Sequence, residues 1–139
     1  MLAIPAKRAD VVDLAKPLKA FFTKKFPGDS AHFQNDITSF QQLRSAAVGV
    51  TDPMDTVGQQ QLLRYNYHVS VMVLRLNDFE MEMKLNFSWY DAYRPSRRFT
   101  SSDIYFDMAG VLWNMASFES TRAARCDRST DEVGLSVQS

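Results

Sequence analysis

From Glu80 to Tyr90 the chain alternates without a break. Met81, Met83, Leu85, Phe87 and Trp89 are apolar, and Glu80, Glu82, Lys84, Asn86, Ser88 and Tyr90 fill the other positions. Period two is the mark of a strand with one buried face and one wet face. A strand by itself leaves backbone N–H and C=O groups unpaired, so the fold must supply a partner. Leu2 to Ile4, ended by Pro5, is the local candidate. Arg94 to Ser102 reads as a polar loop carrying Arg94, Arg97 and Arg98.

Helical periods surround this strand. Asp13 is placed to cap a helix running to about Lys25, with Pro17 in its first turn and Leu14, Leu18, Phe21 and Phe22 on one face. Pro27-Gly28 stops it. Ser30 can cap a second helix, whose stripe is Phe33, Ile37, Phe40, Leu43 and Ala47 and whose end is Gly49. A third helix is expected from Gln59 to Leu76, on Leu62, Tyr65, Val69, Met72 and Leu76, thickened by Leu63, Tyr67, Val71 and Leu74. Its β-branched stretch from Val69 to Leu74 also admits a strand, but the helical steps persist over the longer window. Ser102, helped by Asp103, can cap a fourth helix on Ile104, Tyr105, Met108, Val111, Leu112, Met115 and Phe118. That arc is wider than one stripe and predicts neighbours on two sides. The helix is expected to fade after Arg125, with a loop or new cap at 127–132 and a loose tail at 133–139. The pattern as a whole is mainly α with a small antiparallel β-sheet.

Sixteen basic and sixteen acidic side chains cancel, which argues against a global electrostatic grip on nucleic acid or membrane while leaving room for a local patch. The single Cys126 excludes an intramolecular disulfide and a cysteine metal cluster, and fits a reducing compartment such as cytosol. The apolar run at the start is too short, and its charges come too late, for a secretory signal. No apolar run approaches the roughly 20 residues of a membrane span, and Leu2 excludes the N-myristoylation pattern.

Catalytic chemistry is not written in the chain. His32 and His68 lie far apart without converging ligands, so structural or surface roles are expected, and no metal or cofactor is implied. Glu80 and Glu82 read as the wet side of a strand rather than an acid/base pair. Cys126 beside Arg125 lacks the histidine signature of a nucleophile. No phosphate-binding glycine loop or nucleophile elbow appears. Trp89 and Tyr90 read as packing anchors. The remaining candidate is the Arg94-Pro-Ser-Arg-Arg98 loop, either a solvated turn or a contact for anionic lipid head groups, where each basic residue is worth roughly 1 kcal/mol.

Five segments, in order, carry a family resemblance. They are Asp13-Leu-Ala-Lys-Pro-Leu18, Leu43-Arg-Ser-Ala-Ala-Val-Gly49, Leu62-Leu-Arg-Tyr65, Leu85-Asn-Phe-Ser-Trp-Tyr-Asp-Ala-Tyr93 and Val111-Leu-Trp-Asn-Met-Ala-Ser117. Each alone is weak, but in this order they resemble the start of a BRO domain, the N-terminal module of Alix-type endosomal sorting adaptors. Asp107 stands where that family usually has Glu, and Trp113 where it has Phe or Tyr. The resemblance runs to about Glu132, giving a partial BRO domain over 1–132 and a divergent tail over 133–139. That change is compatible with an altered reading frame, an alternative exon or a misassigned gene end.

The resemblance implies the N-terminal part of a boomerang-shaped domain with solenoid-like helices. It implies a non-enzymatic adaptor in ESCRT-linked multivesicular-body sorting, cytoplasmic and peripheral to endosomes. In the family the partner is an ESCRT-III subunit. Its contact positions fall beyond residue 139, so none is assigned here. The runner-up reading is a truncated product without adaptor activity.

Overall fold

The alternating segment finds strand partners on both sides, though not where the sequence places them. The computed structural model describes residues 3–75 and 85–138, with 127–138 as backbone. Strand β1 (Phe87–Tyr90) pairs antiparallel with β2 (Arg98–Ser101), in a register running from Phe87 opposite Ser101 to Tyr90 opposite Arg98. On its other edge Ala9 bridges Trp89: the Tyr90 N–H donates to the Arg8 carbonyl at 2.9 Å, and the Asp10 N–H to the Ser88 carbonyl at 3.0 Å. The earlier half of the alternation, through Lys84, lies outside the described residues.

Two expectations are corrected here. The partner strand β2 lies inside the stretch read as a loop. It escaped detection because Arg98, Phe99 and Thr100 are all exposed, so no in–out alternation marks it. The N-terminal partner is residues 8–10 rather than Leu2 to Ile4. Polar side chains of the last helix take the backbone groups of residues 4–7. The Ile4 N–H donates to Ser120 Oγ at 2.9 Å, Ser117 Oγ donates to the Ile4 carbonyl at 2.6 Å, and Trp113 Nε1 donates to the Pro5 carbonyl at 2.8 Å. The Asn114 amide both accepts from the Lys7 N–H (2.7 Å) and donates to the Lys7 carbonyl (2.9 Å), as a strand neighbour would. Only from Arg8 onward does the segment reach β1.

Among the described residues, four helices complete the fold. α1 (Ala15–Lys25) buries Leu18, Phe21 and Phe22. The cap position is Leu14 rather than Asp13; from one residue ahead, Asp13 Oδ1 accepts from the Ala15 N–H at 3.1 Å, and Gln41 Oε1 accepts from the Leu14 N–H at 2.6 Å. Gly28, at φ 91°, takes the left-handed conformation that turns the chain away from α1. A 3₁₀ turn (Ser30–Phe33) leads into α2 (Gln34–Val48), which buries Ile37, Phe40, Arg44 and Ala47. α3 (Thr56–Arg75) starts three residues earlier than expected because Asp55 Oδ1 accepts from the Gly58 N–H at 2.9 Å. It buries Leu62, Tyr65 and Val69. Leu63, Tyr67 and Leu74 are exposed rather than part of its inner face.

α4 (Ile104–Gln138) is capped by Asp103, whose Oδ1 accepts from the Tyr105 N–H at 2.8 Å, and not by Ser102. Its inner face is narrower and more polar than the hydropathy pattern suggests. Among the described side chains, Ile104, Val111 and Phe118 are buried, Tyr105 and Leu112 are exposed, and the other buried positions are Asp107, Gly110, Asn114 and Ser117. Its backbone stays helical to Gln138, through the stretch where a loop and then a loose tail are expected. Extending an existing helix requires fixing only one residue per new hydrogen bond, and Gly134 costs about 1 kcal/mol without breaking the ladder. The apolar core gathers side chains from α1, α2, α3, β1 and α4 into one cluster.

Candidate functional site

Beneath the sheet lies a buried polar hub. Asp107, on the inner face of α4, is 0% exposed, and Arg44, on the inner face of α2, is 1% exposed. The Arg44 guanidinium meets the Asp107 carboxylate edge-on, Nη2 to Oδ1 at 2.8 Å and Nε to Oδ2 at 3.2 Å. Tyr65 of α3 donates its hydroxyl to Oδ2 at 2.6 Å, and Trp89 of β1 donates its indole N–H to Oδ1 at 2.8 Å. The two oxygens thus receive four donors from three elements. A fifth bond runs from Arg44 Nη1 to the Asp10 carbonyl at 3.0 Å, tying in the N-terminal segment. Buried charges persist only when paired and hydrogen-bonded, and this pair is both.

The hub is a structural lock. Burial opposes the charge on Arg44, yet hydrogen bonding and attraction to Asp107 raise its pKa above the ordinary value. Tyr65 is pushed well above 10.0, by burial first and then by the neighbouring Asp107. A raised folded-state pKa means that the fold keeps the Tyr65 proton where the unfolded chain has lost it. That stability is complete below the unfolded value near 10 and drains away as pH rises toward the folded one. Urea midpoints are therefore expected to hold from pH 7 to about 10 and then fall, with a shallower fall in Tyr65→Phe. Equal slopes in the two chains would remove Tyr65 as the cause.

The three arginines singled out in the sequence sit on the β1–β2 hairpin, and all are exposed. Arg98 pairs with Asp10 Oδ2 at 3.6 Å, while Tyr90 donates its hydroxyl to Asp10 Oδ1 at 2.9 Å. Asp10 therefore joins the hub, through its carbonyl, to the hairpin, through its carboxylate. Arg97 lies 6.0 Å from the Phe99 ring. The turn is pinned by Asp91, whose Oδ1 accepts the N–H groups of Tyr93 (2.8 Å) and Arg94 (2.9 Å). Those two bonds, Arg94's first, hold its carboxyl below the usual range.

Two further cations, unmarked by sequence reasoning, join this patch. The Arg8 guanidinium stacks 3.9 Å from the Tyr90 ring, and Lys7 Nζ stands 4.8 Å from Trp113, which meets Tyr93 edge-on at 6.5 Å. They lie far from the hairpin in sequence and reach it through the bridge at Ala9 and through Asn114 and Trp113 of α4. Tyr93 (72% exposed) and Phe99 (49%) stand among these cations as exposed aromatics. The result is a basic and aromatic surface over a rigid base.

Elsewhere, Phe22, Phe26, Phe33, Phe40 and Met72 wall an apolar cleft of about 430 Å³ between α1, α2 and α3, with Asp36, His68 and Arg75 also lining it. Among the described residues, no group of three or more His, Cys, Asp or Glu side chains could hold a metal ion. Among them, too, no helix is long and apolar enough to cross a membrane.

This arrangement has a known family. The profile described as BRO1-like domain matches residues 1–137, and the chain belongs to that family. It is 31% identical over 133 residues to ALG-2 interacting protein X of Dictyostelium discoideum, covering 95% of this chain and 16% of that protein. It is 26% identical over 137 residues to the vacuolar protein-sorting protein bro1 of Emericella nidulans, covering 97% of this chain and 13% of that one. Among solved structures, the ALIX BRO1 domain in complex with CHMP4C superposes with a TM-score of 0.80 at 27% identity, over 90% of this chain and 38% of that one. The chain thus spans a small part of the length of these curated relatives. The fold, mainly helical with a two-stranded antiparallel sheet among the described residues, is thus similar to that of a BRO1 domain.

Proposed function

We propose that this chain is the N-terminal part of a non-enzymatic adaptor serving ESCRT-linked endosomal sorting, and that its basic hairpin contacts anionic membrane. The observation that carries the adaptor reading is the family match across residues 1–137, together with the likeness to a BRO1 domain solved with CHMP4C. In a longer product the ESCRT-III subunit would bind helices that follow residue 139. The part played by these 139 residues is then to build the rigid end of the module and to present the hairpin. Its place would be the cytoplasmic surface of endosomes, consistent with relatives named for vacuolar sorting.

The membrane reading rests on Arg94, Arg97 and Arg98, supplemented by Lys7 and Arg8, with Tyr93 and Phe99 placed to enter the head-group layer. Aromatic side chains favour that layer, and basic residues near it are worth about 1 kcal/mol each. Co-sedimentation with phosphatidylserine-containing vesicles tests it. Retention should fall as salt rises and should fall about 30-fold in Arg94→Ala/Arg97→Ala, the effect of about 2 kcal/mol. Equal retention by neutral phosphatidylcholine vesicles, or by the double variant, would rule out the hairpin as the contact.

A further inference from the structure

The tip of the hairpin is a β-turn with an exposed serine in it. The Arg97 N–H donates to the Arg94 carbonyl at 2.9 Å, closing Arg94-Pro95-Ser96-Arg97, and the Asp91 N–H donates to the Arg97 carbonyl at 2.9 Å. Pro95 occupies the second turn position, which its fixed φ suits. Ser96 occupies the third and faces solvent. The hydrogen bonds that hold this turn run through backbone groups and the Asp91 carboxylate, so the Ser96 hydroxyl is left out of them. A turn of this kind brings its first and last Cα atoms within about 7 Å, so the backbones of Arg94 and Arg97 stand close on either side of Ser96. Arg98 pairs with Asp10, and Arg94 is drawn toward the nearby Asp91 carboxylate without either being buried.

We propose that Ser96 is a phosphorylation site that switches off the basic surface, an inference that rests on the membrane reading above. The donor is a nucleoside triphosphate, and the catalyst is a serine/threonine kinase that reads arginines. Arginines stand at positions −2, +1 and +2 from the acceptor, the complement of an acidic substrate groove. In the step, Ser96 Oγ bonds to the γ-phosphorus and the phosphoanhydride bond to the β-phosphate breaks. The nucleoside diphosphate leaves, and the hydroxyl proton passes to the kinase's base. The strands on either side are four residues each, and β2 is exposed through Thr100, so the tip can open locally into a kinase cleft.

The product carries a charge of about −1.5 to −2 and three acceptor oxygens. Arg94 and Arg97 are placed to take it in charge-assisted hydrogen bonds. The surface holds five cations (Lys7, Arg8, Arg94, Arg97 and Arg98) and two carboxylates (Asp10 and Asp91), so one phosphate cancels most of the excess. Local electrostatics then changes while the buried hub below is untouched.

The full chain is incubated with ATP and the catalytic fragment of an arginine-directed serine/threonine kinase, and the phosphate is mapped by mass spectrometry. One phosphate on Ser96, absent in Ser96→Ala, is the expected result. Phosphate elsewhere, or none, overturns the site. Retention on phosphatidylserine-containing vesicles should drop about 30-fold on phosphorylation, as it would on losing two basic charges. Ser96→Ala should bind as the unmodified chain does, with or without kinase. A chain that carries phosphate on Ser96 but binds vesicles unchanged overturns the switch and leaves the membrane reading standing. If the unmodified chain fails to bind anionic vesicles, the membrane reading falls and takes the switch with it.

Discussion

Replacing Asp107 by alanine is expected to cost about 3–5 kcal/mol, the usual penalty for leaving a buried charge without its partner. Four donors on three side chains lose their acceptor at once: two on the Arg44 guanidinium, the Tyr65 hydroxyl and the Trp89 indole N–H. None can turn to water, because all three residues are buried. Domains of this size have total stabilities of about 5–15 kcal/mol, so the variant would sit near the unfolding threshold. Urea unfolding followed by tryptophan fluorescence reads the loss directly, and Trp89 reports from the hub itself. Adding Arg44→Met removes the orphaned charge and should recover part of the loss, a non-additivity expected of groups in contact. A single-variant loss below about 1 kcal/mol would mean that the hub is not what holds α2, α3, β1 and α4 together.

The hub also shows where sequence reasoning stops. Its apolar surroundings were legible: Ile37, Phe40 and Ala47 on α2, Leu62 and Val69 on α3, and Ile104, Val111 and Phe118 on α4 keep the helical steps and are buried. Arg44 and Asp107 were not, because periodicity scores a charge as a surface position. A signal was nonetheless present. Arg44 falls between Phe40 and Ala47, and Asp107 between Ile104 and Val111, each on the apolar stripe of its helix. Opposite charges on two inward stripes are what a buried ion pair looks like before the helices are assembled. Which helix meets which is a tertiary fact, and spacing along one helix does not contain it.

The hairpin failed differently. Phe87 and Trp89 announced β1 by their alternation, although Ser88, on the side expected to be wet, is buried too and shares a hydrogen bond with Thr100. β2 carries no alternation because water reaches both of its sides. The arginines of the patch were visible as a local run, but Lys7 and Arg8 belong to it only after the N-terminal segment is threaded along α4. That threading depends on Asn114, Ser117 and Ser120, polar residues that a hydropathy pattern discards. The BRO-type motifs held more of this information than periodicity did, since a motif retains polar positions whose reasons are long-range.

Gly110 offers the second large effect, through steric contact rather than charge. In an exposed helix position, Gly→Ala is worth up to about 1 kcal/mol of added stability. Here the sign should reverse. A Cβ on Gly110 would fall on the Trp89 indole, at 2.7 Å from Cζ2 and closer still to Cε2 and Cδ2. The ring has little room to withdraw, because its N–H is committed to Asp107 Oδ1 at 2.8 Å and its backbone is paired on both edges of β1. Either the indole moves and breaks that bond, or α4 moves off the sheet. Overpacking of this kind costs about 1–3 kcal/mol, and a broken buried hydrogen bond adds about 1–3 more. Gly110→Ala is therefore expected to lose about 2–6 kcal/mol by urea unfolding, less up to about 1 kcal/mol of helix propensity regained. Gly110→Ala/Trp89→Phe separates the two contributions. Phenylalanine lacks the indole's second ring and its N–H, so the double variant should regain the steric part while still lacking the hydrogen bond. A Gly110→Ala chain as stable as the parent would show that β1 and α4 are not locked in the close packing that the hub requires.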